Sequence, residues 1–343
     1  MAETTTTTAT QNLVSDENSM VLHNKRGKNR KKRKNESQKK KTRYGLLSYH
    51  ELPDHMKDNE FILNYYRVNW PLKHAFFSLF KWHNESLNAF NWICAVPGLN
   101  RGEFDASASS SGSIWQIHLG TTRLIDLRQM ASQKMVSALP HVVAERWPFF
   151  VFLGGSMFCL LSSSICHLFC CHSHHLNILL LRMDYVGIAV MIITSFFPPI
   201  YYIFQCDPIW QIIYLSGITA MGVFTIITLL SPALSSGKFR TFRALLFLAM
   251  GLFGLIPAIH AMVVNWHEPR CPITLAYESA MALAYITGTM FYVSRIPERF
   301  KPGWFDLAGH SHQIFHVFVV IGALAHYCAA LIFLEWRDHV GCK

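Results

Sequence analysis

Three histidines form the pattern in this chain that is best suited to chemistry. His312 and His316 are four residues apart, which places both imidazoles on one face of a helix, and His167 lies in an earlier apolar stretch. Three neutral imidazoles that leave a fourth position for water are the ligand set of a catalytic-type zinc site. The chain contains no HExxH sequence, which excludes a zincin-type protease as a pattern match.

Two further polar residues are expected close to these histidines. Ser163 lies one helical turn before His167 and faces the same way. Asp184 is expected to open the next apolar stretch, on the same side of a membrane as His167. Because ionisable groups inside membrane spans are costly, each of them is a functional candidate. The sequence therefore predicts a site of three imidazoles, one carboxylate and one hydroxyl at a common depth.

Other ionisable and thiol groups fit ordinary packing better than chemistry. An isolated histidine in a membrane helix is more often hydrogen-bonded within the core than bound to a metal. We interpret His260, His326 and Glu278 in this way. Most of the nine cysteines lie in apolar runs and none forms a CxxC pair, so buried thiols are expected. A single bridge between Cys206 and Cys271 stays open as an alternative.

Long apolar stretches must hold these residues in place. The chain is 51% hydrophobic and only 15% charged, whereas soluble domains average about 25% charged residues. A helix needs about twenty apolar residues to cross a hydrocarbon core. Six stretches approach this length, at 147–171, 184–202, 209–230, 242–264, 273–293 and 312–334. The sequence thus predicts a multi-pass helical membrane protein.

The net charge of +10 is concentrated in one segment. Residues 25–43 contain twelve Lys or Arg and one acid, Glu36, which gives this segment +11 and leaves −1 for the rest of the chain. Because these charges are not spread over a folded face, we expect no nucleic-acid binding. In front of a membrane body, a disordered polybasic segment is better interpreted as an anchor on the anionic lipids of the inner leaflet.

The loop charges predict the orientation and the number of spans. Basic residues gather around 182, 238–243 and 295–301, in loops that the positive-inside rule assigns to the cytosol. With the basic tail also in the cytosol, the chain must cross once before Trp147. The candidate at 87–99 would reach only about 20 Å as a helix, short of a core about 30 Å thick. We predict an all-α integral membrane protein with seven transmembrane helices, a cytosolic N-terminus and a short first helix.

The predicted organisation has five parts. They are a disordered polybasic tail at 1–45, a cytosolic juxtamembrane segment at 46–86, the short first helix and a flexible loop at 87–146, a six-helix membrane body at 147–336 and a short tail at 337–343. The juxtamembrane segment has apolar stripes at helical spacing, formed by Phe61, Ile62, Tyr65 and Tyr66 and then by Leu72, Phe76, Leu79 and Phe80. Beside a membrane body, such stripes indicate helices lying on the cytosolic leaflet.

Several segments resemble the signatures of a known family. They are SSICH at 163–167, LRMDYVG at 181–187, GHSHQIFHV at 309–317, LP at 52–53, KDNEF at 57–61, HNES at 83–86 and RIPER at 295–299. Together they resemble the progestin and adipoQ receptor family, which includes the adiponectin receptors and is related to the haemolysin III proteins. The amino-acid sequences of these segments are most similar to those of the plant branch, the heptahelical transmembrane proteins. The resemblance extends over about residues 45–334.

The resemblance implies a fold of seven helices with a cytosolic N-terminus. It also implies a site in which zinc is bound by His167, His312 and His316, Asp184 holds the metal-bound water and Ser163 supports the site. One departure concerns the first helix. Family members usually continue the HNE-type motif with an Asn, a Thr-His pair and a full apolar span, whereas residues 88–92 are NAFNW here and polar residues soon follow. A shortened or replaced first helix is therefore expected.

Three functions stay open for such a site. The first is a membrane receptor that binds a lipid, hormone or protein ligand in hormone-, sugar- or lipid-responsive signalling, with cytosolic signalling partners. The second is a zinc-dependent, ceramidase-like hydrolase of amide-linked lipids, in which Asp184 accepts the proton of the attacking water; hydrolysis could then be the signalling output. The third keeps zinc only as a link between helices.

Overall fold

The computed structural model describes residues 44–90, 144–231, 234 and 237–342. The chain divides after Leu47 into two units, and the second unit, from Ser48 onward, contains everything discussed below. Its described residues form nine complete α-helices, a helical stretch at 86–90 and no strand. The nine helices are α1 (Leu72–Phe77), α2 (Trp147–Phe169), α3 (His174–Ser195), α4 (Phe197–Ile203), α5 (Pro208–Leu229), α6 (Arg240–Phe253), α7 (Leu255–Val264), α8 (Cys271–Ser294) and α9 (Ser311–His339).

The predicted apolar stretches are confirmed as helices. Five helices or helix pairs are long and apolar enough to cross a membrane, namely α2, α3 with α4, α5, α6 with α7, and α9. Helix α8 has 24 residues, about 36 Å at 1.5 Å per residue, but it is less apolar because Glu278 and several hydroxyl-bearing residues lie within it. The predicted first span at 87–99 lies mostly outside the described residues. Its described part, 87–90, is helical.

Two of these spans are broken into helix pairs. Helix α3 gives way to α4 at Phe196, and Pro198 and Pro199 follow in the first turn of α4. Helix α6 gives way to α7 at Gly254, and Pro257 follows in the first turn of α7. Proline lacks the N–H that continues a helix and is tolerated in a first turn. The prolines therefore define where each second helix begins.

Asp184 lies inside a helix and not at its start. The sequence predicted that Asp184 opens a span, but α3 begins ten residues earlier, at His174. The hydroxyl of Ser173 accepts a hydrogen bond from the backbone N–H of Leu176 at 3.4 Å and caps this polar first turn. A cap starts a helix whether or not the following residues are apolar, so hydropathy placed the boundary too late.

Helices α2 and α9 are the most buried of the candidate spans, and α8 packs against α9. A buried cluster joins α2 to α9 and consists of Phe149, Phe152, Leu153, Leu160, Tyr327 and Ala330. Two glycines bring α8 and α9 together. A Cβ atom at Gly322 would lie 2.5 Å from the ring of Tyr285, and one at Gly288 would lie 2.8 Å from Cβ of Phe318. Small residues at such positions allow close approach of helices in a membrane.

The juxtamembrane segment is largely irregular, which corrects part of the prediction. Residues 61–66 are not helical, and Tyr65 has a positive φ of 69° that is incompatible with a continuing helix. Ile62 and Tyr66 instead pack with Leu52 in a small core. Of the four residues of the stripe, Ile62 and Tyr66 are thus buried within an irregular segment, while Tyr65 is exposed. The second stripe is partly helical, in α1, and leaves Phe80 exposed.

This segment is fastened to the ends of the bundle helices. The buried guanidinium of Arg67 donates to the carbonyls of His167 at 2.7 Å and Leu168 at 3.0 Å, at the C-terminal end of α2. The other described donors to these carbonyls are weak thiol groups, at 3.8 to 3.9 Å. The buried carboxylate of Glu298 accepts from Asn59 Nδ2 at 3.0 Å and from the backbone N–H of Ser311 at 2.7 Å. The segment thus fixes the end of α2 and the start of α9.

The opposite end of the bundle contains a disulfide bond. Cys206, between α4 and α5, is bonded to Cys342, beyond α9, so the alternative pairing of Cys206 with Cys271 was wrong. Arg146, just before α2, and Asp338, in the last turn of α9, form a bidentate ion pair with both N–O distances 2.9 Å. The sequence alone did not predict the Cys206–Cys342 pairing, because the position of Cys342 depends on where α9 ends.

Candidate metal centre

The structure brings His167, His312 and His316 together. Their Nε2 atoms are 3.2 Å apart for each pair that includes His167, and 3.3 Å apart for His312 and His316. His167 comes from the last turns of α2, and the other two come from the first turns of α9, four residues apart. His167 and His316 are buried and His312 is half-buried. This buried triad could hold a metal ion.

The spacing of the three nitrogens fits a small tetrahedral ion. Zn–N bonds of about 2.0–2.1 Å place two nitrogen ligands of a tetrahedral zinc about 3.3–3.4 Å apart. The three observed distances, 3.2 to 3.3 Å, are close to that value. All three rings turn Nε2 toward one point. A neutral imidazole has a single N–H, so hydrogen bonds among the three Nε2 atoms cannot satisfy all of them. A cation between them would satisfy all three lone pairs.

Glu85 orients the first of these rings and was missed by the sequence analysis. Its Oε2 lies 2.8 Å from Nδ1 of His167. A carboxylate there keeps the proton on Nδ1 and leaves the lone pair of Nε2 directed at the other two histidines. Asn88 donates from Nδ2 to the same oxygen at 2.6 Å, which holds the carboxylate in place. The only sequence signal for Glu85 is the HNES segment at 83–86, which contributes to the family resemblance but does not by itself indicate a role for this carboxylate.

The turn that carries Glu85 is itself built from short local hydrogen bonds. The backbone N–H of Glu85 donates to Nδ1 of His83 at 3.1 Å, and the backbone N–H of His83 donates to the hydroxyl of Ser86 at 2.9 Å. Burial, followed by the charge of Arg67, lowers the pKa of His83 to about 3. The ring is therefore neutral at physiological pH, as its acceptor role requires.

The start of α9 is fixed against the same turn. His310, the residue before α9, donates from Nε2 to the carbonyl of Asn84 at 3.1 Å, and Gln313 approaches that carbonyl at 3.4 Å. Gln313 also accepts from the backbone N–H of Gly309 at 2.7 Å. One turn of the juxtamembrane segment thus contacts both helices that carry the triad.

Asp184 and Ser163 lie beside the triad, and both are buried. Asp184 interacts electrostatically with His167, and Ser163 lies close to Asp184 without a hydrogen bond of regular geometry. The structure therefore brings together all five residues that the sequence singled out, although Asp184 reaches this place from inside α3. Their roles in binding or chemistry stay predictions.

A cavity of about 1250 Å³ extends from the triad into the bundle. His167, His316 and Asp184 lie on its wall, together with apolar side chains such as Met191 and Val319. Cavities of this kind, mostly apolar with a few convergent polar groups, are typical of sites for small molecules. A ligand in the cavity could therefore reach the triad.

The residues interpreted as packing have partners in the structure. His260 lies with Nδ1 2.9 Å from the hydroxyl of Tyr214. His326 lies with Nδ1 2.9 Å from Oε1 of Glu278. His260, in the middle of α7, does not line the cavity, whereas His326 and Glu278 do.

Comparison with known proteins agrees with this architecture. A family model described as haemolysin-III related matches residues 108–327. Heptahelical transmembrane protein 1 of Arabidopsis thaliana is 58% identical over 315 residues, which cover 89% of this chain and 86% of that protein. Heptahelical transmembrane protein ADIPOR1 of Oryza sativa subsp. japonica is 52% identical over 324 residues, covering 87% and 86%. The adiponectin receptor protein of Drosophila melanogaster is 33% identical over 284 residues, covering 82% of this chain and 58% of that protein.

These matches confirm the resemblance and the fold class. The alignments with the relatives named heptahelical cover most of the length of those proteins. Five helices or helix pairs of this chain have the length and composition of membrane spans. The chain therefore belongs to the haemolysin-III related family, as an adiponectin-receptor-like, multi-pass integral membrane protein of the heptahelical class.

Proposed function

We propose that this protein is a membrane receptor whose cavity binds a lipid or hormone ligand beside a zinc ion. The observation that carries the proposal is the convergence of three imidazole nitrogens, 3.2 to 3.3 Å apart, at one end of a large apolar cavity. Zinc would be held by His167, His312 and His316, and it would link α2 to α9. Ligand binding in the cavity would then change how α2 and α9 pack against each other.

The surrounding residues supply the rest of the site. When bound, zinc lowers the pKa of a coordinated water and polarises a carbonyl oxygen. Glu85 fixes the tautomer of His167 by accepting from Nδ1. Asp184 would hold a water molecule at the open side of the triad, and Ser163 would support that carboxylate.

A second candidate is hydrolysis of a lipid amide, and the position of Asp184 favours it. The carboxylate is buried on the cavity wall beside His167, within reach of a substrate carbonyl placed at the triad. Asp184 would accept the proton of the attacking water and return it to the leaving amine. An amide-linked lipid such as a ceramide suits an apolar cavity, and such hydrolysis could be the signalling output of the receptor.

We also propose that the triad end of the bundle faces the cytosol. The basic residues of the loops, including Lys238 and Arg299, lie at that end, and the Cys206–Cys342 disulfide lies at the other. Disulfides form in oxidising compartments, whereas basic loops stay in the cytosol. The N-terminal tail would be cytosolic, with residues 25–43, which lie outside the described part of the chain, contacting anionic lipids. Helix α1 would rest on the same leaflet.

Metal analysis tests the shared premise. Purified wild-type protein should contain stoichiometric zinc, His312→Ala should lose it, and His260→Ala, outside the cavity's polar end, should retain it. A wild-type protein without stoichiometric zinc would overturn the proposed site.

Turnover separates the receptor from the hydrolase. Asp184→Asn should keep zinc and abolish release of fatty acid from a ceramide, if the protein is a hydrolase. Hydrolysis that survives in Asp184→Asn would remove Asp184 as the base. A wild-type protein that releases no more fatty acid than its metal-free form would favour the receptor without turnover.

A further inference from the structure

The cavity contains a second polar pair away from the triad. Glu278 of α8 and His326 of α9 both lie on its wall. Nδ1 of His326 is 2.9 Å from Oε1 of Glu278 and 3.2 Å from Oε2. The side chain of His326 is 3% exposed, whereas that of Glu278 is 25% exposed. Oε1 of Glu278 is buried and makes no hydrogen bond of regular geometry, so the carboxylate is the member of the pair with acceptor capacity left for a ligand.

The pair lies deeper in the bundle than the triad. His326 follows His316 by ten residues on α9, which corresponds to about 15 Å along the helix axis. Glu278 shares the cavity-lining face of α8 with Tyr285, two turns further along. The wall between the two polar places is apolar and includes the cluster of Cys159, Met191 and Val319. An apolar length of the cavity wall thus separates the Glu278–His326 pair from the triad.

A structural role alone does not account for the pair. Charged groups inside a membrane protein are costly, and a buried ion pair can often be replaced by apolar residues without loss of stability. Helices α8 and α9 already pack closely through Gly288 and Gly322. The ring of His326 is held by an edge contact with Phe152, with centroids 4.7 Å apart. This arrangement fixes the imidazole, while Oε1 of Glu278 has no hydrogen bond of regular geometry.

We propose that Glu278 and His326 form a second subsite, which accepts a hydrogen bond from a hydroxyl or ammonium group of an amphipathic ligand. An ionised carboxylate only accepts hydrogen bonds, so the ligand group must be a donor. The imidazole holds one side of the carboxylate through Nδ1 and leaves lone pairs for the ligand. A long-chain molecule with one polar group at the triad and a donor group about 15 Å away would fill both places.

The inference rests on the proposed function only in that the cavity admits a ligand. It does not require a metal at the triad, because the pair belongs to different turns of α9 and to α8. Its failure and the failure of the zinc site can therefore be told apart by measuring zinc and subsite binding in the same samples.

Photolabelling of the full-length protein in lipid nanodiscs tests the subsite. Three probes share one sixteen-carbon chain with a diazirine near its middle and end in an amine, an alcohol or a methyl ester. Labelling of the α8 and α9 peptides is measured by mass spectrometry in wild type, in Glu278→Gln and in the control Glu335→Gln. Glu335 lies on α9 outside the cavity wall, 3.8 Å from Arg270, and undergoes the same change of charge.

The subsite predicts a selective loss. Glu278→Gln should reduce amine labelling about tenfold relative to ester labelling, as expected for loss of one charge-assisted hydrogen bond, and Glu335→Gln should not. A matching loss for the alcohol would show that any donor is accepted, and loss for the amine alone would show that charge is recognised. Equal labelling by all three probes in wild type and Glu278→Gln would overturn the proposal. So would a parallel loss of all three, because the pair would then only shape the cavity.

Competition in the wild type covers the case of a variant that does not fold. Unlabelled hexadecylamine or hexadecanol should displace the amine probe from the α8 peptide more effectively than methyl hexadecanoate. Equal displacement by the three compounds would also overturn the subsite. In His312→Ala, zinc should be lost while the preference for the donor probes stays.

Discussion

Replacement of Glu85 should weaken metal binding without removing any metal ligand. The carboxylate lies 2.8 Å from Nδ1 of His167 and is the only described contact that fixes the orientation of that ring through its outer nitrogen. Loss of such an orienting group typically lowers metal affinity 10- to 100-fold, about 1.4 to 2.7 kcal/mol. The two informative variants are Glu85→Gln and Glu85→Ala.

The geometry decides which variant falls at which end of that range. One oxygen, Oε2, accepts from both His167 and Asn88, so the amide oxygen of Glu85→Gln can keep both hydrogen bonds. Only the negative charge is lost, and we expect an affinity loss of about tenfold. Glu85→Ala removes the acceptor as well and leaves Nδ1 to water, so we expect a loss of about 100-fold.

The assay is zinc affinity measured by chelator competition on the purified protein. Glu60→Gln is the matched control, because Glu60 is exposed, pairs with Arg295 and has no described contact with the triad. We expect wild-type affinity for this control. An affinity for Glu85→Ala that equals that of wild type would refute the orienting role. A larger loss in Glu85→Gln than in Glu85→Ala would also refute it, because the acceptor oxygen would then contribute nothing.

Three further predictions concern the frame around the site. Arg67→Met should lower the free energy of unfolding by about 3 kcal/mol, because the terminal carbonyls of α2 lose charged donors; the unfolding midpoint in detergent measures this. Gly322→Ala should cost about 1–3 kcal/mol by forcing a methyl group into a tyrosine ring of α8, whereas Gly251→Ala, with open space around it, should not destabilise. Cys206→Ser should cost about 2–5 kcal/mol and make the midpoint insensitive to reductant, and Cys328→Ser, a free thiol, should leave the reductant effect intact.

Local patterns were enough to predict the spans and the metal-ligand candidates. Hydropathy located every apolar stretch that forms a helix in the described residues, because a membrane span must satisfy its backbone internally and stay apolar. The spacing of His312 and His316 placed both rings on one face of α9. The meeting of these rings with His167 followed from antiparallel topology, which brings the end of one span and the start of another to the same side.

Contacts across long sequence separation could not be predicted in this way. Glu85 reaches His167 over 82 residues of chain, and no periodicity links them. The Cys206–Cys342 bond depends on the length of α9, which hydropathy does not give because its last turns are polar. Phe61 and its neighbours have helical spacing but adopt an irregular path, because tertiary packing around Leu52 outweighs local pattern.

The position of the HNES turn explains why the departure in the first helix need not affect the site. Glu85 contacts His167 of the triad, and Asn84 contacts His310, the residue before α9. Both precede the point at which the sequence leaves the family pattern. Arg67, which also precedes that point, fastens the same segment to α2. Glu298, which lies far beyond it in the chain, fastens the segment to the start of α9. The geometry of the triad is therefore held from the juxtamembrane side. A variant that lengthens the apolar part of 87–99 should change insertion of the first span while zinc content stays at one per chain, if the proposed site is correct; loss of zinc in a correctly inserted variant would show that the first span, and not the HNES turn, holds the triad together.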